Sequence, residues 1–111
     1  MLFLELGDEG AKYVSSLLVN NKHIRILKLA KCAIGDEGCC AIFESLKNNQ
    51  TVEVLNFSQN KITDKSIECI AECLAQNLNI KTVYFNGNVL RNSHLKSKLF
   101  SFGRENINLT F

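Results

Sequence analysis

The tetrapeptide Gly-Asp-Glu-Gly stands at Gly7–Gly10 and again at Gly35–Gly38, and the same step of 28 residues links Ile24, Val52 and Ile80. A fixed period of that length constrains the fold more than any local feature. One such unit is a single supersecondary element that cannot bury its apolar side alone, so successive units must stack into one continuous core. Shifted by 28 residues, Ile24-x-x-Leu27-x-Leu29-x-x-Cys32-x-Ile34 falls on Val52-x-x-Leu55-x-Phe57-x-x-Asn60-x-Ile62 and on Ile80-x-x-Val83-x-Phe85-x-x-Asn88-x-Leu90.

Within each unit the apolar period changes. Leu27 and Leu29 alternate as a strand does, whereas Cys39, Ile42, Phe43 and Leu46 follow at i, i+3, i+4 and i+7, one face of a helix. Ala11, Val14 and Leu18 repeat that stripe one unit earlier, and Ile67, Ile70, Ala71 and Leu74 one unit later. In the last unit the stripe slips by one residue to Leu95, Leu99 and Phe102, and Leu109-x-Phe111 reads as a further strand. Asp8, Asp36 and Asp64 precede the stripes, where a carboxylate can accept the free N–H groups that open a helix. Asn21, Asn49 and Asn77 follow the stripes and are expected to take a left-handed C-terminal turn. Gly7 and Gly35 are assigned to turns.

The pattern LxxLxLxx(N/C)xL, followed by a Gly/Asp-rich turn and a long helix every 28 residues, resembles the ribonuclease-inhibitor class of leucine-rich repeats over nearly the whole chain. That resemblance implies an α/β solenoid, a horseshoe segment with a parallel β-sheet on its concave face and α-helices on its convex face. Asn60 and Asn88 correspond to its ladder Asn positions, with Cys32 as the Cys variant and Leu4 as a departure. Such an Asn at a strand-to-loop corner can satisfy backbone groups left unpaired where the sheet ends. The frame gives one domain over 1–111: a partial repeat 1–23, repeats 24–51, 52–79 and 80–107, and a terminal strand 108–111. Met1 falls at the sixth position of a unit, with Met1 to Phe3 as a strand stub, so the chain is expected to be part of a longer array.

Composition narrows the function classes. The 111 residues are 46% hydrophobic and 22% charged with a net charge of +2, the balance of a soluble globular domain. Nucleic acid and anionic membranes are not expected as partners, since Arg25, Lys28, Lys31 and Lys81 form at most a modest basic patch. MLFLEL is interrupted by Glu5 and has no basic n-region, so neither a membrane span nor a signal peptide is read there. Five cysteines without a secretory signal point to free thiols in a reducing compartment, the cytoplasm or the nucleus.

Catalytic and cofactor motifs are missing from the sequence. GxSxG, HExxH and the glycine-rich phosphate and dinucleotide loops do not occur, and neither His23 nor His94 has a nucleophile at a motif position beside it. The Asp-Glu pairs of the repeated tetrapeptide are read as helix-capping acids in preference to an acid/base pair. Cys39, Cys40, Cys69 and Cys73 invite a zinc reading, but the spacing is not CxxC. Cys32 and Cys39 are expected to be small apolar filler, and Cys69 and Cys73 to flank their stripe as oxidation or disulfide sites. No enzyme, cofactor, metal or small-molecule substrate is expected.

Binding is better supported, because a sheet covered on one face leaves the other open. The outward positions are Ile26, Lys28 and Ala30, then Val54, Asn56 and Ser58, then Thr82, Tyr84 and Asn86, with Lys31 and Gln59 at the rim. Tyr84 is the expected anchor, since aromatics dominate interface energetics. The expected role is a non-catalytic protein-interaction module with an unidentified protein partner. Similar repeats occur in NOD-like receptors, Ran GTPase-activating protein and cytoskeletal regulators, so the alternatives are a regulator of a small GTPase and a structural slice of a larger receptor or scaffold. Lys12, Glu37, Lys47, Lys65, Glu68 and Glu72 mix both signs and read as a solvated helix face.

Overall fold

The computed structural model describes residues 6–111; the expected stub at Met1 to Phe3 and the departure at Leu4 lie outside them. Strands and helices alternate through the rest: α1 (Gly7–Leu18), β1 (Ile26–Lys28), α2 (Asp36–Leu46), β2 (Val54–Asn56), a 3-10 turn (Asp64–Ser66) leading into α3 (Ile67–Gln76), β3 (Thr82–Tyr84), α4 (Asn92–Ser101) and β4 (Asn108–Thr110). All four strands are parallel and lie in chain order. Their register places Leu27, Leu55, Val83 and Leu109 in one inward row beneath the helices. Strand starts at 26, 54 and 82 keep the 28-residue step, and β4 begins at 108, two residues early. Among the described residues no helix is long and apolar enough to cross a membrane.

Between the sheet and the helices, phenylalanines stack along the repeat axis. Phe43 and Phe57 have ring centroids 5.3 Å apart, Phe57 and Phe85 6.2 Å, and Phe85 and Phe111 5.7 Å. These spacings suit offset aromatic packing, and Phe43, Phe57 and Phe85 are fully buried. The second glycine of the repeated tetrapeptide has a packing role. A Cβ on Gly38 would lie 2.8 Å from the Ala11 Cβ and 2.6 Å from Asp8 Oδ1, so α1 and α2 can approach only over a bare backbone.

Side chains that reach one repeat forward or back knit the stack together. The Asn60 Oδ1 accepts from the N–H groups of Cys32 and Ile34, while its Nδ2 donates to Leu29 and Phe57 carbonyls, the corner role implied by the resemblance. Asn88 repeats it with Ile62, Phe57 and Phe85. The expectation for the aspartates is corrected: none caps its own helix. Asp8 accepts from the N–H groups of Gly35 and Gly38 at the start of α2, Asp36 from Thr63 and Ser66 ahead of α3, and Asp64 from the N–H of Arg91 ahead of α4. Each carboxylate sits in the first turn of one helix, where stacking carries it to the free N–H groups of the next.

The helix-end asparagines are a second correction. Asn77 is extended (φ −103°), and among the described residues the non-glycine positions with positive φ are Lys31, Ala33 and Gln59 instead. Asn49 Nδ2 donates to the carbonyls of Leu18 and Asn21, and Asn77 Nδ2 to those of Leu46 and Asn49, satisfying the last carbonyls of the preceding helix and loop. Arg104 continues this ladder in the final unit, donating to Leu74, Asn77 and Ile80 carbonyls. Phe102, expected in the inward stripe of the last helix, is exposed with Lys98 over its ring.

The cysteine expectations are corrected in part, since Cys69 does lie in a disulfide while Cys73 does not. Cys40 and Cys69 form a disulfide between α2 and α3, with Cα atoms 5.6 Å apart, leaving Cys32, Cys39 and Cys73 as free thiols. The two residues are 29 apart, one repeat and one position, which sets them side by side on neighbouring helices. Cys73 does not flank its stripe but is fully buried, and that burial pushes its thiol up to about 12. Burial likewise raises the Cys39 thiol well above its ordinary value, in keeping with its expected role as core filler.

Candidate functional site

The sheet face turned away from the helices is formed by side chains that alternate with the inward row. Ile26, Val54 and Thr82 share one row, and β4 adds Asn108 to it. Lys28, Asn56 and Tyr84 share the next, to which β4 adds Thr110. Ala30, Ser58 and Asn86 lie just beyond the strand ends. Asn108 and Thr110 were not among the sequence-derived face residues, although the expected strand through Leu109 implies both by alternation.

Exposure differs along these rows. Ile26 is 56% exposed and Tyr84 37%, large apolar surfaces left to solvent at the N-terminal edge and near the centre of the sheet. Lys28 is exposed, while Val54, Asn56, Thr82, Ser58 and Asn86 are half-buried between their neighbours. Asn56 Oδ1 accepts from the Ser58 N–H, and Asn86 Nδ2 donates to the Phe111 carbonyl, which fixes both amides in the face.

Lys31 and Gln59 hold the rim in left-handed backbone, at φ 55° and 58°. Gly87 occupies the same place one repeat on, at φ 77°. A left-handed L-residue costs roughly 1–2 kcal/mol, which glycine avoids. The conformation is held by the backbone ladder: Lys31 N–H donates to Ser58 O at 3.0 Å and Gln59 N–H to Asn86 O at 2.6 Å. The presence of Gly87 in that frame position is the sequence signal that marks this corner as left-handed.

Charge is distributed unequally between the two sides. On the helices, Lys12 pairs with Glu9 and Glu37, Lys47 with Glu44 at 2.9 Å and Glu72 at 3.5 Å, and Lys98 with Glu68 at 3.5 Å. The hydrogen bonds that Lys12 and Lys47 donate to Glu37 and Glu44 raise the lysines' pKa values. Several of these pairs join neighbouring repeats, so the mixed-charge helix face is cross-linked as well as solvated. Lys22, Arg25, Lys28 and Lys31, around β1, are exposed and make no ion pair among the described residues.

The two histidines lie apart from this face. His23 is in the exposed loop before β1, and His94 Nδ1 lies 3.3 Å from the Asp64 carboxylate that also receives the Arg91 N–H. Among the described residues no three His, Cys, Asp or Glu side chains cluster as metal ligands.

Residues 20–43 and 48–71 match the family model described as a leucine-rich repeat. The comparison with curated proteins found no match. Among solved structures, the leiomodin-1 actin-binding site 2 superposes with a TM-score of 0.79 at 24% identity, over 94% of this chain and 64% of that one. The tropomodulin C-terminal domain of Caenorhabditis elegans superposes with a TM-score of 0.71 at 23% identity, over 94% of this chain and 66% of that one. This chain therefore spans just under two thirds of either domain, and what it shares with them is the fold. Two matched repeats and a four-stranded parallel sheet backed by helices give this chain a leucine-rich-repeat fold.

Proposed function

We propose that this chain is a non-catalytic protein-interaction module that grips a partner on the exposed face of its sheet, through Ile26, Lys28, Lys31, Val54, Asn56, Ser58, Gln59, Thr82, Tyr84 and Asn86. The observation that carries the reading is the contrast in polar side-chain use: the helix-side Asp8, Asp36 and Lys47 are taken up in bonds between repeats, whereas the sheet leaves Lys28, among the described residues, unpaired beside Ile26 and Tyr84. Exposed apolar side chains stand on the helices too, at Tyr13, Leu17 and Phe100. An aromatic anchor beside a β-branched row and fixed amides matches the make-up of an interface centre. The helix-bearing 28-residue repeat supports placing the chain in the ribonuclease-inhibitor-like class. Neither similar structure supports the small-GTPase alternative.

Leiomodin-1's domain is described as an actin-binding site, so actin is the first whole protein to titrate against this chain. The test of the face is a display selection with segments of cellular proteins, followed by affinity measurements on variants. Binders are expected to weaken at least tenfold on Tyr84→Ala and to be unaffected by Lys47→Ala on the helix side. Binders that ignore Tyr84→Ala and respond to helix-side changes would place the working surface elsewhere.

A further inference from the structure

Arg25, Lys28 and Lys31 are exposed along and beside β1, with Lys22 in the loop that leads into it, and no ion pair engages them among the described residues. No acid lies in the sequence between Asn20 and Gly35, and the exposed Glu53 beside Arg25 on the next repeat makes no ion pair with these cations among the described residues. On the helices, by contrast, Lys12, Lys47 and Lys98 sit beside glutamates, although Lys65 and Lys96 do not. Uncompensated charge beside an exposed apolar patch attracts groups of opposite sign and excludes partners of like sign.

The geometry also sets a spacing. Lys28, Asn56 and Tyr84 are in register on three adjacent strands. Adjacent strands lie about 4.8 Å apart, so Lys28 and Tyr84 are separated by roughly 10 Å, the length of about three residues of extended chain. Between them, Asn56 has its Oδ1 engaged by the Ser58 N–H, and its Nδ2 makes no hydrogen bond among the described residues. An amide donor midway between a cation and an aromatic ring suits a peptide carbonyl flanked by an acid and an apolar side chain.

Building on the docking role proposed for the sheet face, and resting on it, we infer that this face takes an acidic, extended polypeptide segment, with a carboxylate on Lys28 and Lys31 and, about three residues along, an apolar side chain against Tyr84. A single aromatic on the face and four cations at one edge give a polypeptide more to bind than they give a nucleic acid, which needs stacking platforms along a basic groove. The left-handed corner at Lys31 holds the second cation on a rigid rim, so the charge is presented rather than trailing on a mobile loop.

The test is the composition of the segments selected on the folded chain, followed by fluorescence polarisation with one synthesised segment. Selected segments are expected to be rich in Asp and Glu with an apolar residue about three positions away. Their affinity should fall at least tenfold on Lys28→Glu, several-fold on Lys31→Gly, and steeply with added salt, while circular dichroism and the thermal midpoint show each variant folded. Neutral or basic segments that still depend on Tyr84 would overturn the acidic class and leave the sheet-face reading standing. Segments indifferent to both Tyr84→Ala and Lys28→Glu would overturn both readings, as would a selection that enriches nothing. A single-stranded oligonucleotide that binds more tightly than the segment and displaces it would overturn the inference in favour of nucleic acid.

Discussion

On the helix side, Asp8, Asp36 and Asp64 each reach forward to the start of the next helix, Asn49 and Asn77 reach back to the end of the previous one, and Lys47 joins Glu44 to Glu72. On the sheet side the strands present Ile26, Lys28 and Tyr84 with no comparable ties. Both sides are stacked by one 28-residue step. Polar groups on the helix side meet unpaired backbone N–H groups at the starts of α2, α3 and α4 and C=O groups at the ends of α1, α2 and α3, and leaving such groups unmatched is costly. A strand's backbone is already paired with its neighbours, so the outward side chains are released from that duty. Substitutions should therefore separate: changes in the ladders cost stability, and changes on the open face cost binding.

The strongest way to break that separation is at the corner ladder. Asn60→Ala would strand the N–H groups of Cys32 and Ile34 and the carbonyl of Leu29, while the Phe57 carbonyl keeps its bond from Asn88, at a cost of about 3 kcal/mol. Urea unfolding reads this directly, and a loss below about 1 kcal/mol would show that water replaces the ladder. Asp36→Ala removes the cap on α3 and should cost about 1–2 kcal/mol. For Asp36, burial works against the charged form, but hydrogen bonds from Ser66 and Thr63 outweigh it and hold the pKa below its ordinary value. A carboxyl depressed in the folded state stabilises above its unfolded pKa and loses that contribution as pH falls through the folded one. The difference between wild type and Asp36→Ala should thus be full above about pH 4 and shrink below it, as unfolding curves across that range would show.

Smaller effects sharpen the comparison from the other side. Tyr84→Ala should change stability by no more than about 1 kcal/mol while removing most of the affinity for a selected segment. Lys31→Gly relieves a left-handed lysine and should raise stability by about 0.5 kcal/mol, with weaker binding of acidic segments. A residue whose loss stabilises the fold and weakens binding is retained for the surface it presents.

Much of the architecture was legible because apolar alternation and the 28-residue step are written locally. Leu27 and Leu29 mark a strand without reference to anything distant, and the outward rows are set by their neighbours through alternation alone. Asn60 and Asn88 were readable through the resemblance. The aspartates were misread because proximity in sequence favours the adjacent helix, whereas stacking brings the next helix within reach of the same carboxylate. Arg104 escaped notice because the last unit is two residues short between β3 and β4, which shifts the ladder position off its 28-residue frame. The Cys40–Cys69 pairing was hidden by a separation of 29, one position beyond the repeat, which only the helix packing shows to be a contact. Of the open face, the identities of the residues were legible, but the lack of ion pairs around β1 was not, since it depends on every charge elsewhere.

The most direct measurement pairs urea unfolding with the affinity for one selected segment in Tyr84→Ala, with Asp36→Ala measured alongside. The account predicts that Tyr84→Ala keeps its unfolding midpoint close to that of the unmodified chain and loses affinity at least tenfold, while Asp36→Ala unfolds earlier and, where folded, binds as before. Unchanged affinity in Tyr84→Ala, or lost affinity in a folded Asp36→Ala, would contradict the division between a helix side that holds the repeats together and a sheet side that binds.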